Sequence, residues 1–462
     1  MKRGKKLVCL LLVFVLLCGA AYAASRLSAD SAAEEEAADS TVFSLDADSV
    51  TALSYTHGDT LAFEKENGEW VYTGDDAFPL ASGYIDTMAA ALSDISSSKT
   101  IDSPGDLSQY GLDEPEYSIS VTAGETYSIL IGDETAIGGE RYLSTGDGKV
   151  YLVDSAITDS FSYGLYELVQ EESVPAMSSI ESFCVAVGEK SYELDYIENS
   201  GLAYSDDYVW FYKDGDGYLT LDTDLADSFV RKVTGLSWAS CANYNADDAA
   251  LAQYGLDEPQ LTATVNYIET VKVETDMTDS DGNTIYDTRE DEKTFTLEIG
   301  DYAGEQCYAR IAGSRMVYLI DATVCDSLLH ATYESLQPNE ILSMDFDTVT
   351  SVDITLDGKT CTVRKSDGVW TLDGSETDIQ GVFDTLNGLV PSDSGVAQTP
   401  EGSAELSFVF HRSTDKFSTV ELSFYPYDSS SCLVSLDGEA RLFATRTDLS
   451  SLKDELSAVL PG

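Results

Sequence analysis

The sequence predicts an α+β protein of about three repeated modules, each an antiparallel β-sheet with one main covering helix. Three observations carry this. Leu107-Ser-Gln-Tyr-Gly-Leu-Asp-Glu-Pro115 returns almost unchanged as Leu251-Ala-Gln-Tyr-Gly-Leu-Asp-Glu-Pro259, which marks an internal repeat. Short alternating apolar runs separated by Gly- and Asn-containing turns recur around both copies, the pattern of hairpin-rich sheet. One segment per copy carries apolar residues at helical spacing instead. At 462 residues the chain also exceeds one ordinary core, and a hydrophobic content of 43% is ample for several.

The chain opens on a targeting segment. Lys2, Arg3, Lys5 and Lys6 precede an uncharged, mostly apolar run from Leu7 to Ala24. Ala21-Tyr22-Ala23 fits a signal-peptidase site, whereas 18 apolar residues also approach the length that spans a bilayer, with the positive end held in the cytoplasm. Residues 1–24 are therefore a signal peptide or an N-terminal transmembrane anchor, and both readings export the remainder of the chain. The expected location is the cell membrane with an extracytoplasmic C-terminal region, or secretion after cleavage near Ala23. Lipidation at Cys18 is disfavoured because Leu17 is not small. Residues 25–40, small and acidic without periodicity, read as a disordered tether.

Module 1 spans residues 41–172. Val50–Tyr55 and Thr60–Phe63 alternate like strands, Asn67-Gly68 is a hairpin turn, and Glu69–Tyr72 comes directly after it. Ile85, Met88, Ala89, Leu92 and Ile95 place a helix over Ser82–Ile95. After the motif come strands Tyr117–Val121, Tyr127–Ile131, Arg141–Ser144 and Lys149–Val153, with a short helix near Ala156–Val169. Module 2, residues 173–336, repeats the order. Phe183–Val187, Tyr192–Tyr196 and Val209–Phe211 come first, and Leu225, Phe229, Val230, Val233 and Leu236 form the helix. Leu261–Val265, Thr294–Asp301, Tyr308 and Val317–Asp321 then echo the later strands.

The motif recurs after 144 residues but Ile-Gly-Asp after 168, so about 24 residues are inserted, near 271–293, with Asp276–Asn283 the most loop-like stretch. Module 3, residues 337–462, is degenerate. Ser351–Thr355, Thr362–Lys365, the Asp367-Gly368 turn and Val369–Thr371 copy the opening hairpin, and Ile379, Val382, Phe383, Leu386 and Leu389 copy the helix. Glu405–Phe410, Thr419–Phe424 and Cys432–Leu436 close it. Tyr-Gly-Leu-Asp-Glu-Pro is missing, with Pro400 as its candidate remnant, as an atypical terminal repeat would have it.

The motif itself reads as a joint. Glycine permits a turn of positive φ, leucine plugs the core, and proline biases the preceding residue toward extended backbone. Its acids, Asp113, Glu114, Asp257 and Glu258, need no catalytic role. Trp70, Trp210 and Trp370 recur at one place in the repeat, which favours a core position over glycan stacking, and Trp238 lies outside that pattern.

The combination resembles the DUF4340 family. The carriers are Asn67-Gly68-Glu69-Trp70, Tyr110-Gly111-Leu112 with Pro115, Ile131-Gly132-Asp133 and their second copies, behind an N-terminal apolar segment. The resemblance covers nearly all of the exported chain and brings no chemistry with it. It implies an accessory envelope role beside ABC-type transporter components of the gliding-motility kind.

Charge narrows the partners. Without its first segment the chain carries about 22 basic against 82 acidic residues, a balance that excludes nucleic-acid recognition and adhesion to anionic lipid. His57, His330 and His411 are the only histidines, and none stands in a zinc or hydrolase motif. The loops around Asp214 and Asp216, and around Asp279 and Asp281, lack the closing glutamate of a calcium loop. Cys184, Cys241, Cys307, Cys325, Cys361 and Cys432 have no metal spacing and leave disulfides open. No catalytic, cofactor-binding or metal residue is assigned. The expected protein is a non-enzymatic, extracytoplasmic, membrane-tethered scaffold or accessory component, its partners the membrane and transporter or other envelope proteins. A surface module for glycan or protein is the alternative, and an exported hydrolase the third.

Overall fold

A computed structural model describes residues 41–278 and 284–460. The N-terminal segment, the tether and the centre of the insertion lie outside the described residues. Among those described, no helix is long and apolar enough to cross a membrane.

Three nine-stranded antiparallel sheets make up the fold. By internal contacts the chain divides into two compact units. The first holds residues up to 173 together with 240–245, and the second holds 174–239 and 246–462, so two of the predicted modules share one unit.

In the first unit the opening hairpin, Ala52–His57 and Asp59–Glu66, is flanked by Glu69–Tyr72 on one side and Tyr117–Ala123 on the other. Glu125–Glu134, Glu140–Ser144 and Val150–Asp154 come next in order, and Asp94–Ile101 pairs with the last of these. The second and third sheets keep this plan. Ser179–Val187 and Lys190–Tyr196 stand beside Trp210–Asp214 and Leu261–Thr278. Val349–Leu356 and Lys359–Ser366 stand beside Val369–Leu372 and Leu406–Arg412. The third sheet continues through Thr419–Pro426, Ser431–Leu436 and Glu439–Thr445 to Asp393–Gln398. Although module 3 has lost the motif, it has lost none of the strand order.

Alternation puts one face of each sheet in a core, since successive side chains of a strand point to opposite sides. Leu53 and Tyr55, Phe183 and Val185, and Phe408 and Phe410 are all buried on such faces. The predicted helices cover them. Ser82–Ala91 buries Ile85, Met88 and Ala89, and Gln380–Asn387 buries Val382, Phe383 and Leu386. Thr223–Thr234 buries Ala226, Phe229, Val230 and Val233, whereas Leu225, read from spacing as a core residue, is 45% exposed. It occupies the third position of the helix, one residue off the apolar stripe that Ala226 fills.

Three further differences have local causes. The first helix ends at Ala91, and Ile95 belongs to the strand Asp94–Ile101, whose polar sequence hid it. A second helical segment comes after Val150–Asp154, Val317–Asp321 and Glu439–Thr445, started by a side-chain cap from Asp154, Asp321 or Thr445. In module 1, where a short helix near Ala156–Val169 is expected, it is two short 3-10 turns, Ser155–Phe161 and Leu165–Leu168. In module 3 it is the helix Arg446–Val459, whose Leu449, Leu452 and Leu456 join the core of Phe383 and Leu386. Finally, the described residues on either side of the insertion's centre are strand. Leu261–Thr278 and Thr284–Ala303 are strands of 18 and 20 residues, paired in register from Leu261↔Ile299 out to Glu274↔Tyr286. The Thr, Val and Tyr among its charges favour extended backbone.

Candidate functional site

The repeated motif is a joint between two backbones. Gly111 has φ +65 and Gly255 φ +67, a region where only glycine is free of strain. The glycine of Ile-Gly-Asp explains itself from the other side. A Cβ on Gly132 would collide with the carbonyl oxygen of Tyr110, and one on Gly300 with that of Tyr254. Asp301 N–H donates to Tyr254 O at 2.8 Å, so strand and joint are stitched together there. Tyr110 packs edge-on against Tyr142 (4.9 Å between ring centroids), and Tyr254 lies tilted against Tyr308 (4.5 Å). Leu112 and Leu256 are buried, and Asp113, Glu114, Asp257 and Glu258 are exposed.

A second repeated device pins each helix to its sheet. Trp70 Nε1–H donates to Asp86 Oδ1 at 2.8 Å, and Trp210 Nε1–H to Asp227 Oδ1 at 2.7 Å. Each aspartate is the fifth residue of its covering helix. Both indoles are buried. Asp384 is likewise the fifth residue of Gln380–Asn387, and Trp370 likewise stands just past the hairpin turn. In module 3, however, the latch is open. Asp384 accepts from Gln380 Nε2 at 2.7 Å, Trp370 is only half-buried, and its indole N–H has no hydrogen-bond partner among the described residues.

The space at the open latch is walled by a loop that sequence reasoning missed. Modules 1 and 3 close the second hairpin turn with Asn67-Gly68 and Asp367-Gly368, but in module 2 residues 197–209 intervene between Lys190–Tyr196 and Trp210–Asp214. Within the second unit this loop reaches module 3. Tyr204 packs against the module 3 core, edge-on to Phe417, and its hydroxyl donates to Asp437 Oδ2 at 2.7 Å. Arg412 Nη2 donates to Tyr204 O at 2.6 Å, and Lys416 Nζ to Ser200 O at 2.8 Å. Burial, then the Asp437 carboxylate, pushes the Tyr204 phenol well above its ordinary range, so it stays a donor. The signal lay in the Glu198–Asp207 stretch, whose Asn, Gly, Ser and Asp residues are turn formers.

Clefts open around the loop. The one at the latch, about 440 Å³, is lined by Ser205, Asp207 and Tyr208 of the loop and by Glu340, Ser343, Asp345 and Asp347 at the start of module 3. Lys365, Trp370, Gln380, Phe383 and Asp384 of module 3 also line it. Tyr208 donates to Glu340 Oε2 at 3.3 Å, and burial raises its phenol. Another cleft, about 350 Å³, lies between Tyr204, Tyr218, Tyr333 and Arg441. A third, about 480 Å³, is lined by Arg412, Thr414 and Lys416, and Thr414 Oγ1 is buried there without a hydrogen-bond partner among the described residues.

The residues weighed for chemistry lie elsewhere. His57 stacks on Tyr117 at 4.3 Å, and His330 Nδ1 meets Asp326 O at 2.8 Å. His411 Nε2 pairs with Asp353 Oδ2 at 2.9 Å, and Thr362 Oγ1–H donates to the other oxygen of Asp353. These hydrogen bonds hold the Asp353 carboxyl below its usual range. The hydroxyl faces the acid rather than the imidazole, so the trio lacks the nucleophile–base contact of a hydrolase. The Asp214-Gly-Asp216-Gly217 stretch is a hairpin turn, and Asp279 and Asp281 lie outside the described residues. Among the described residues no three His, Cys, Asp or Glu side chains are placed to hold one metal ion. All six described cysteines are free thiols. Trp238 stacks on Tyr318 at 4.2 Å.

The profile of one family, described as a domain of unknown function (DUF4340), matches residues 70–173 and 213–398. No curated protein and no solved structure matches the chain. The stretch between the two matched segments contains the loop at 197–209.

Proposed function

The chain belongs to the DUF4340 family, and on that basis we propose that it is a non-catalytic, extracytoplasmic, membrane-tethered scaffold or accessory protein acting beside an ABC-type transport system. One observation supports this reading above others. The recurrent polar and glycine residues of modules 1 and 2 serve construction: the Tyr-Gly-Leu joint, the Trp–Asp latch and the caps after the last strand. A repeat whose recurrent residues serve construction suits a protein that presents faces to partners. The basic start and the apolar run Leu7–Ala24 supply the tether in this reading.

The experiment is to fractionate cells producing the full chain and to purify it from mild detergent. Membrane retention after a high-salt wash, protease access from the outer side and recovery of transporter permease or ATPase subunits are the expected results. A soluble product beginning at Ala24, recovered alone, overturns the tether and the association together. A second reading, a surface binding module, is favoured by the half-buried Trp370 on the wall of the 440 Å³ cleft.

A further inference from the structure

The open latch in module 3 differs from the closed ones in a way that defines a ligand. Trp370 and Asp384 occupy the same fold positions as Trp70 with Asp86 and Trp210 with Asp227, yet a cleft of about 440 Å³ stands where those pairs close. An aromatic face half-open to a cavity is the first requirement for holding an organic cation, because the ring's negative face attracts positive charge. Carboxylates around it are the second. Asp207, Glu340 and Asp345 line the cleft with Asp384, against the ammonium of Lys365. Among the described residues no three of these acids stand close enough to hold one metal ion. The tryptophan also offers an indole N–H without a partner among the described residues.

We propose that the Trp370 cleft binds a small organic cation carrying an ammonium or guanidinium group, with the cationic end over the Trp370 ring and among the carboxylates. Lys365, whose Nζ already stands 5.6 Å from the Trp370 ring centroid, is the resident competitor for that place. The site belongs to the second unit alone, and its occupation does not depend on tethering or on a transporter.

Agmatine is the probe. The full chain is titrated with it at constant ionic strength and followed by tryptophan fluorescence and by calorimetry. Saturable binding is expected, weakened about tenfold by Trp370→Ala and less by Asp384→Asn. Lys365→Ala is expected to strengthen it several-fold, an effect that a merely structural role for these residues would not produce. If Trp370→Ala does not fold, as judged by its circular dichroism and melting, Asp384→Asn with Glu340→Gln carries the same test. Putrescine and a lysine-containing tripeptide, run beside agmatine, separate a free amine from a basic side chain as the source. The proposal is overturned by an unsaturable titration, by equal affinity in the Trp370 and Asp384 variants, by an equal response to sodium chloride, or by a neutral oligosaccharide saturating the same signal.

Discussion

Trp210 and Trp370 stand on equivalent strands, face the same turn of equivalent helices and end in different circumstances. At Trp210 the indole is buried and hydrogen-bonded to the helix. At Trp370 the partner aspartate is turned to Gln380, and the loop 197–209 of the neighbouring module stands beside the gap. A repeat can therefore give up an internal bond in one copy where a neighbouring module supplies other anchorage. Here that anchorage is Tyr204, held by Phe417, Asp437 and Arg412.

The indoles should give the largest effect. Trp210→Ala is expected to destabilise the second unit by about 4 kcal/mol, as removal of a buried aromatic does, and Trp370→Ala by less than about 2 kcal/mol. Urea melts of the two variants check this, and equal losses would erase the distinction between closed and open latch. Gly300→Ala comes next. Its Cβ would drive into Tyr254 O, and a backbone neighbour cannot step aside cheaply, so about 3 kcal/mol is expected by the same measurement.

The aspartates of the latch rank below these. Asp227→Asn and Asp86→Asn should each cost about 1–2 kcal/mol through a weakened charge-assisted bond, while Asp384→Asn leaves the melting temperature unchanged. Smallest is a pH effect in module 3. The Asp353 carboxyl is lowered by His411 first and Thr362 second. Its stabilisation is therefore fully present above the unfolded carboxylate value near 4 and disappears as pH falls through the lower folded value. The difference in urea midpoint between the parent and Asp353→Asn should shrink as pH falls from about 6 to about 2.

Much of this architecture was legible in the chain. The turn glycines at 111 and 255, the helix positions Ile85, Val230 and Phe383, and the three-sheet plan all arise from local preference and periodicity. What escaped depends on partners far away in sequence. Asp94–Ile101 buries only Ile95 and Ser97 on alternate positions, and it is a strand because Val150–Asp154 offers it an edge. The loop 197–209 is built of turn formers, and nothing in its own residues announces that Tyr204 finds Phe417 and Asp437 more than 200 positions on. Ile-Gly-Asp was visible as an echo, but its reason, the approach of Tyr110 O and Tyr254 O, exists only in three dimensions. The open latch was hidden for the same cause, since Trp370 and Asp384 sit where closed pairs sit.

The long hairpin of module 2 has its own consequence. Among the described residues, Ser179–Val187 flanks its first strand only as far as Ile268, and Gln306–Ile311 flanks its second only from Leu297 onward. Beyond these points both outer edges present backbone donors and acceptors that no neighbouring strand takes up, an invitation to polymerise with another chain. Glu269, Lys272, Glu274, Arg289, Glu290, Asp291, Glu292 and Lys293 stud that stretch and make stacking of such ribbons costly. The insertion thus carries its own protection against fibre formation, and a ribbon with those charges neutralised would aggregate through edges the rest of the sheet keeps covered.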